Sequence, residues 1–282
     1  MTNEQVPTGL TRRRRRLTDA ETAQRMLDTA MAMIDATGLT VSLDHISFED
    51  VIRDAGVARS AVYRRWPYKD LFFSDLLKAI AATAPAAIGP DGTAGVDAVR
   101  QLALDRLDQF RTADGRRALL VELLRQGALS DFEAMHASTQ WRTYIALHAT
   151  FLSLADGELR TEVQAALATA ERELINGIAR SYEHLAALFG LRLRLELDAT
   201  FEELAAQASA TMRGFVITVR TLPDLAERRL RTGPLGAAET AEWSQPALGV
   251  VAAALSFLEP DPSVEWDEGR IAQVRRTLEE GS

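Results

Sequence analysis

Between Ser60 and Trp66 the chain reads Ser-Ala-Val-Tyr-Arg-Arg-Trp. Wound as a helix at about 100° per residue, Val62 and Trp66 fall on one face, about 40° apart. Ser60, Ala61 and Arg64 fall on the opposite face, with Tyr63 and Arg65 on its flanks. Such a helix carries apolar anchors behind and small or cationic groups in front. In the major groove of duplex DNA, Arg reaches guanine bidentately and Ala meets a thymine methyl. Flanking Tyr and Arg suit phosphates, which position a helix without reading sequence. Lys69 opens the next helix, where free N–H groups and the dipole favour another phosphate. The same residues also fit an ordinary helical hairpin with solvated arginines.

The elements that must hold this helix are legible on both sides. Ser47 offers a cap, and Phe48, Val51, Ile52 and Ala55 form a short helical stripe ending at Gly56. Gly56-Val57-Ala58 is a turn, and Pro67 closes the short helix after it. This is a helix-turn-helix pattern. Upstream, Thr18 and Glu21 have capping-box spacing. Ala23, Met26, Leu27, Ala30, Met31 and Ile34 then follow a helical stripe to Gly38. A fourth helix runs from Lys69 to about Thr83. Pro85 to Gly95, with two Pro and three Gly, predicts a loop and a domain boundary. Helical stripes follow over 94–112, 115–128, 131–155, 160–189, 199–221 and 237–258, with a weak one near 224–231. Leu191 to Leu197 alternates, but in this context it reads as a connection between helices rather than a strand. The fold class is therefore all-α. A three-helix helix-turn-helix domain is joined to a larger helical bundle.

The 282 residues carry a net charge of −8 and no cysteine. Residues 1–80 hold 12 basic and 11 acidic side chains, net +1; residues 81–282 hold 20 and 29, net −9. The acidic balance excludes nucleic-acid binding over the whole surface but not by a local basic arm. Arg12 to Arg16 is such a run, readable equally as a solvated tail. Without cysteine there is no disulfide framework, thiolate zinc site, iron–sulfur cluster or Cys nucleophile. The first ten residues lack the apolar core of a secretory signal. The longest apolar run, Leu248 to Leu258, is too short for a bilayer that needs roughly 20 residues. A soluble, cytoplasmic protein without membrane contact is expected.

Residues 23–77 resemble the DNA-binding domain of the tetracycline-repressor (TetR) family of bacterial regulators. The resemblance rests on the first helical stripe to Gly38 and on Ala55-Gly56-Val57-Ala58-Arg59-Ser60-Ala61-Val62-Tyr63-Arg64-Arg65-Trp66-Pro67-Tyr68-Lys69-Asp70-Leu71. It implies that Ser60, Ala61 and Arg64 meet bases. It implies that Ser47, Tyr63, Arg65 and Lys69 meet phosphates. Arg13 and Arg15 would belong to an arm entering the adjacent minor groove. Three features depart from the family pattern. Ala58 replaces a polar cap, Tyr68 replaces a small polar residue, and the stretch around Leu39 to Ile46, including His45, is enlarged. The implied organisation is an arm at 1–17, a helix-turn-helix domain at 18–84 and an effector-binding, dimerising domain at 85–282. The implied partners are a palindromic double-stranded DNA operator, a second copy of the chain and a small apolar or amphipathic effector. No cofactor, metal or enzymatic activity is implied.

In the larger half Trp141, Tyr144, His148 and Phe151 share one helical face, with Met135 on a preceding turn. This stripe reads either as core or as a ligand box with polar tips. Phe110, Met212 and Phe215 are further ligand candidates. The Leu204–Val219 stripe and the run Ala247 to Leu258 read as dimer helices or as monomer core, with 160–189 a competing interface. Other classes remain. A di-metal carboxylate enzyme needs two Glu-x-x-His motifs, and only Glu133 to His136 supplies one. A helical protein-interaction adaptor without DNA binding is a third class, told apart because it would not retain DNA at low salt.

Overall fold

The computed structural model describes residues 17–39, 46–87 and 93–280. α1 (Asp19–Thr37) begins at the expected capping box. The Thr18 hydroxyl accepts from the Glu21 amide at 3.1 Å, and the Glu21 carboxylate accepts from the Thr18 amide at 2.8 Å. α2 (Phe48–Ala55) is capped by Ser47, whose Oγ accepts the Asp50 amide at 3.3 Å. It stops at Gly56, where φ is +63°, a conformation that favours glycine. α3 (Arg59–Arg65) starts at Ala58 without a side-chain cap. α4 (Lys69–Ala87) continues through Pro85, beyond the end expected near Thr83.

These four helices close over Met26, Ile34, Val51, Ile52, Val62, Trp66, Phe72 and Leu76. The core does not end there. Tyr144 and Leu147 of α7 (Thr139–Ser153) and Val163, Leu167 and Ala170 of α8 (Glu158–Phe189) belong to it. α4 lies along α8.

The second core gathers α5 (Thr93–Asp105), α6 (Ala113–Ala137), the later half of α8, α9 (Phe201–Thr221), α11 (Gln245–Phe257) and α12 (Glu268–Glu280). α8, about 48 Å long at 1.5 Å per residue, serves both. Val163 to Ala170 face the first core, and Ala179, Tyr182, Ala186 and Phe189 the second.

Several elements differ from the sequence expectation. The expected helix 94–112 divides into α5 and a 3-10 turn, Leu107–Arg111. The helices expected over 115–128 and 131–155 break later than predicted. Leu124, Ala128 and Phe132, each four residues apart, bury the same face and carry α6 through to Ala137. The break falls at Ser138, which caps α7 by accepting the Trp141 amide at 3.2 Å. Leu191 to Leu193 is a strand, β1, paired antiparallel with β4 (Leu258–Pro260), rather than a helix connection. Arg192 and Glu259 face each other across it at 2.9 Å. The weak helix near 224–231 shrinks to α10 (Asp224–Glu227). A hairpin follows, β2 (Arg229–Thr232) with β3 (Ala241–Ser244), so α11 starts at Gln245. Four-residue strands are too short for a period-two signal. α12 was not expected at all, although Ile271, Val274 and Leu278 supply its buried stripe. The two ribbons are small additions to an all-α fold.

The stripes expected at a dimer interface already pack within one chain. Leu204, Ala205, Ala208, Met212, Val216 and Val219 of α9 meet Ala247, Val250, Val251, Ala254 and Leu255 of α11 in the second core.

Candidate nucleic-acid interface

α3 sits on α1 through the side chains placed behind it. Val62 is 0% and Trp66 2% exposed. The Trp66 indole N–H donates to Asp75 at 2.9 Å, and its ring meets Phe72 edge-on at 5.1 Å. Pro67 and the turn before Lys69 then redirect the chain into α4. Ser60, Tyr63, Arg64 and Arg65 are exposed on the other side, Ala61 is half-buried, and Lys69 stands exposed at the start of α4. Ser47 is exposed at the start of α2. Anchors and outward groups therefore separate along α3 as the wheel requires. Arg13, Arg15 and the rest of the basic run lie outside the described residues, as does His45.

The outward groups are not idle. Arg64 pairs with Asp19 at the start of α1. Tyr63 donates its hydroxyl to Glu49 at 2.8 Å, and Arg59 pairs with Glu49 at 2.5 Å. The hydrogen bond to Glu49, then burial and the Glu49 charge, raise the Tyr63 pKa above its ordinary value, so the hydroxyl keeps its proton. Arg65 lies 3.7 Å from Asp75 and 5.8 Å from the Trp66 ring centroid. Exposed ion pairs are worth about 0–1 kcal/mol and are screened by salt, so these carboxylates hold their partners weakly. Sequence reasoning missed Asp19 and Glu49. Both are first-turn acids, explained locally by the helix dipole. Nothing in the sequence brings Asp19 to Arg64, 45 residues away.

No protein-family model and no curated protein sequence matches the chain. Among solved structures it is similar to reduced NemR of E. coli, with 14% identity and a TM-score of 0.42 over 86% of this chain and 99% of that one. It is also similar to SmeT, the repressor of the Stenotrophomonas maltophilia multidrug efflux pump SmeDEF. The identity there is 16% and the TM-score 0.38, over 86% and 93% of the two chains. For the SmeT–triclosan complex the values are 19% and 0.39, over 87% and 99%.

The eight ligand candidates divide between the two cores. Trp141, Tyr144, His148 and Phe151 line one face of α7, and that face packs beside the helix-turn-helix. Trp141 meets Tyr144 edge-on at 5.7 Å, Tyr144 meets His148 at 4.4 Å, and Arg160 covers Phe151 at 4.6 Å. Tyr144, 2% exposed, donates its hydroxyl to Glu171 of α8. Arg213 of α9 donates to the same carboxylate, and His148 lies 3.9 Å from it. Burial and then the bond to Glu171 drive the Tyr144 pKa well above its ordinary value. Glu171 was not singled out in the sequence, because it sits in a run, Glu171-Arg172-Glu173, that reads as a solvated face.

Phe110, Met135, Met212 and Phe215 belong to the second core. Phe110 packs on Phe189 at 4.9 Å and on Trp266 at 5.7 Å. Two clefts stand out. One, of 440 Å³, opens beside Asn176, Arg180, Glu183 and Thr200. The other, of 130 Å³, lies among Arg116, Arg117, Phe189 and Trp266. None of the eight candidates lines either. Among the described residues no helix is long and apolar enough to cross a membrane, and no three His, Asp or Glu side chains form a group able to hold a metal.

Proposed function

We propose that the chain is a DNA-binding transcriptional regulator. It acts as a homodimer on a palindromic operator and is released from it by a small molecule. α3 is the recognition helix. Ser60, Ala61 and Arg64 meet base edges; Ser47, Tyr63, Arg65 and Lys69 hold phosphates; and Arg13 and Arg15 extend the contact into the minor groove. One observation carries the reading: Val62 and Trp66 are fully buried on the side of α3 opposite exposed Ser60 and Arg64. A hairpin that merely completes a core has no need for a cationic outer face beside a helix N-terminus bearing Lys69.

Residues 18–84 form the DNA-binding unit, and residues 85–282 bind the effector and dimerise. α8 is the mechanical link between them, because its two halves belong to the two cores. An effector that prefers one spacing of the two recognition helices shifts the population toward or away from DNA.

Selection from a random-sequence duplex library tests the proposal. It should enrich an inverted repeat whose half-sites lie about one helical turn apart, roughly 34–36 Å. Sedimentation should find a dimer at micromolar concentration. A monomer, or a single protected half-site, contradicts the reading, and so does a helical adaptor's failure to retain DNA at low salt.

A further inference from the structure

The 130 Å³ cleft lies where the start of α6, the end of α8, the β1–β4 ribbon and the segment leading into α12 meet. Leu120, Phe189, Leu258 and Trp266 make most of its wall apolar. Arg116 and Arg117 also line it, both partly buried. Arg116 donates to the Phe110 carbonyl at 2.8 Å, and Arg117 to the Leu235 carbonyl at 2.9 Å. Among the described residues neither has a carboxylate within ion-pair distance. Their neighbours do: Arg125 pairs with Glu122 at 2.7 Å, and Arg192 with Glu259 at 2.9 Å. Burial pushes both cleft guanidiniums below the usual arginine range, and Arg194 adds like charge against Arg117.

A partly desolvated cation whose hydrogen bonds go only to carbonyls is costly, and an anion with matching acceptors relieves that cost. The Arg116 guanidinium lies 4.4 Å from the Trp266 ring centroid. This ring contact takes up no N–H donor, and a planar guanidinium suits a carboxylate. One carboxylate of the chain also lines the cleft. Asp261 accepts from the Ser263 amide at 2.9 Å and the Ser263 hydroxyl at 2.7 Å, with Arg192 as its charge neighbour.

We infer that this cleft binds a small organic acid, its carboxylate on Arg116 and Arg117 and its ring or short chain against Phe189, Leu258 and Trp266. The volume bounds the size: 130 Å³ is slightly less than the roughly 150 Å³ of apolar cavity that accommodates benzene, so a single ring is the largest body the cleft takes. That such an acid is the effector rests on the regulator reading above; the cleft's preference for it does not.

Benzoate is the probe, and benzamide, of the same shape without charge, is the control. Calorimetric titration of the full chain should show one benzoate per chain and benzamide at least about tenfold weaker, the scale of one charge-assisted hydrogen bond. Arg116→Gln should lower benzoate affinity by about tenfold or more and leave benzamide unchanged. Val264→Phe keeps both arginines and fills the cleft, so it should abolish benzoate binding even where Arg116→Gln fails to fold. Equal affinity for the two probes, no benzoate binding at millimolar concentration, or wild-type binding by Val264→Phe overturns the proposal. Duplex retention on the same preparations separates the two readings. A chain that holds DNA but not benzoate lacks the acid site and keeps its regulatory role. A chain that holds benzoate but no DNA keeps the site and loses that role.

Discussion

Arg213 donates two hydrogen bonds to Glu171, at 3.0 and 2.6 Å, and the same carboxylate accepts the Tyr144 hydroxyl. Arg213 stands on α9 in the second core, and Tyr144 on α7 in the first. Glu171 lies between them, where α8 passes from one core to the other. A single half-buried carboxylate thus joins the helix-turn-helix side of the molecule to the large bundle.

The pH dependence of stability follows from that junction. Burial alone would raise the Glu171 carboxyl, but hydrogen bonds from Tyr144 and Arg213, with the Arg213 charge, hold it below its ordinary 4.5. A carboxyl lowered on folding stabilises above the ordinary range and loses that contribution as pH falls through its folded value. Urea melts should therefore show stability declining below about pH 4.5. Glu171→Gln should be less stable at pH 7 by about 1–3 kcal/mol and should decline less steeply in acid. Parallel acid limbs for the two proteins would count against the junction.

Trp66→Ala should destabilise the helix-turn-helix by about 3–5 kcal/mol. The ring is fully buried against Phe72, and its N–H leaves Asp75. DNA binding then falls through unfolding, with a lowered Tm. Binding lost at an unchanged Tm would mean that Trp66 is not the anchor of α3.

Local signals carried the first half of this fold well. The Thr18–Glu21 box, the Ser47 cap, Gly56 and Pro67 each act within a few residues, and α1 to α3 start and stop where those residues demand. The front and back of α3 were legible for the same reason, since Val62, Trp66, Ser60 and Arg64 follow one helical period. Partners distant in sequence were not. Asp19 meets Arg64, Glu49 meets Tyr63, and Glu171 meets Arg213 only after folding. The period of the α7 stripe could be read, but not which core it enters. The cleft was invisible too, because Arg116, Phe189 and Trp266 come from three separate segments.

Removing the competing carboxylates should tighten DNA binding. Asp19→Asn frees Arg64, and Glu49→Gln frees Tyr63 and Arg59. Each also removes a negative charge from the face proposed to meet phosphate. Fluorescence anisotropy on a short duplex near 0.1 M salt should show an affinity gain of about two- to fivefold for each, within the range of an exposed ion pair. Unchanged or weaker binding by both variants would show that these carboxylates do not compete with DNA.

The central claim is that α3 reads bases through Arg64 while Lys69 only holds the backbone. The direct measurement is the ratio of affinities for the selected operator and for random duplex, followed across salt concentration. Arg64→Ala should cost about 1–3 kcal/mol on the operator and much less on random DNA, so the ratio narrows. Lys69→Ala should weaken both alike, keep the ratio, and lower the salt slope by about one unit. An unchanged ratio in Arg64→Ala together with an altered one in Lys69→Ala would contradict the assignment of the faces of α3, and with it the claim that Ser60, Ala61 and Arg64 read the sequence.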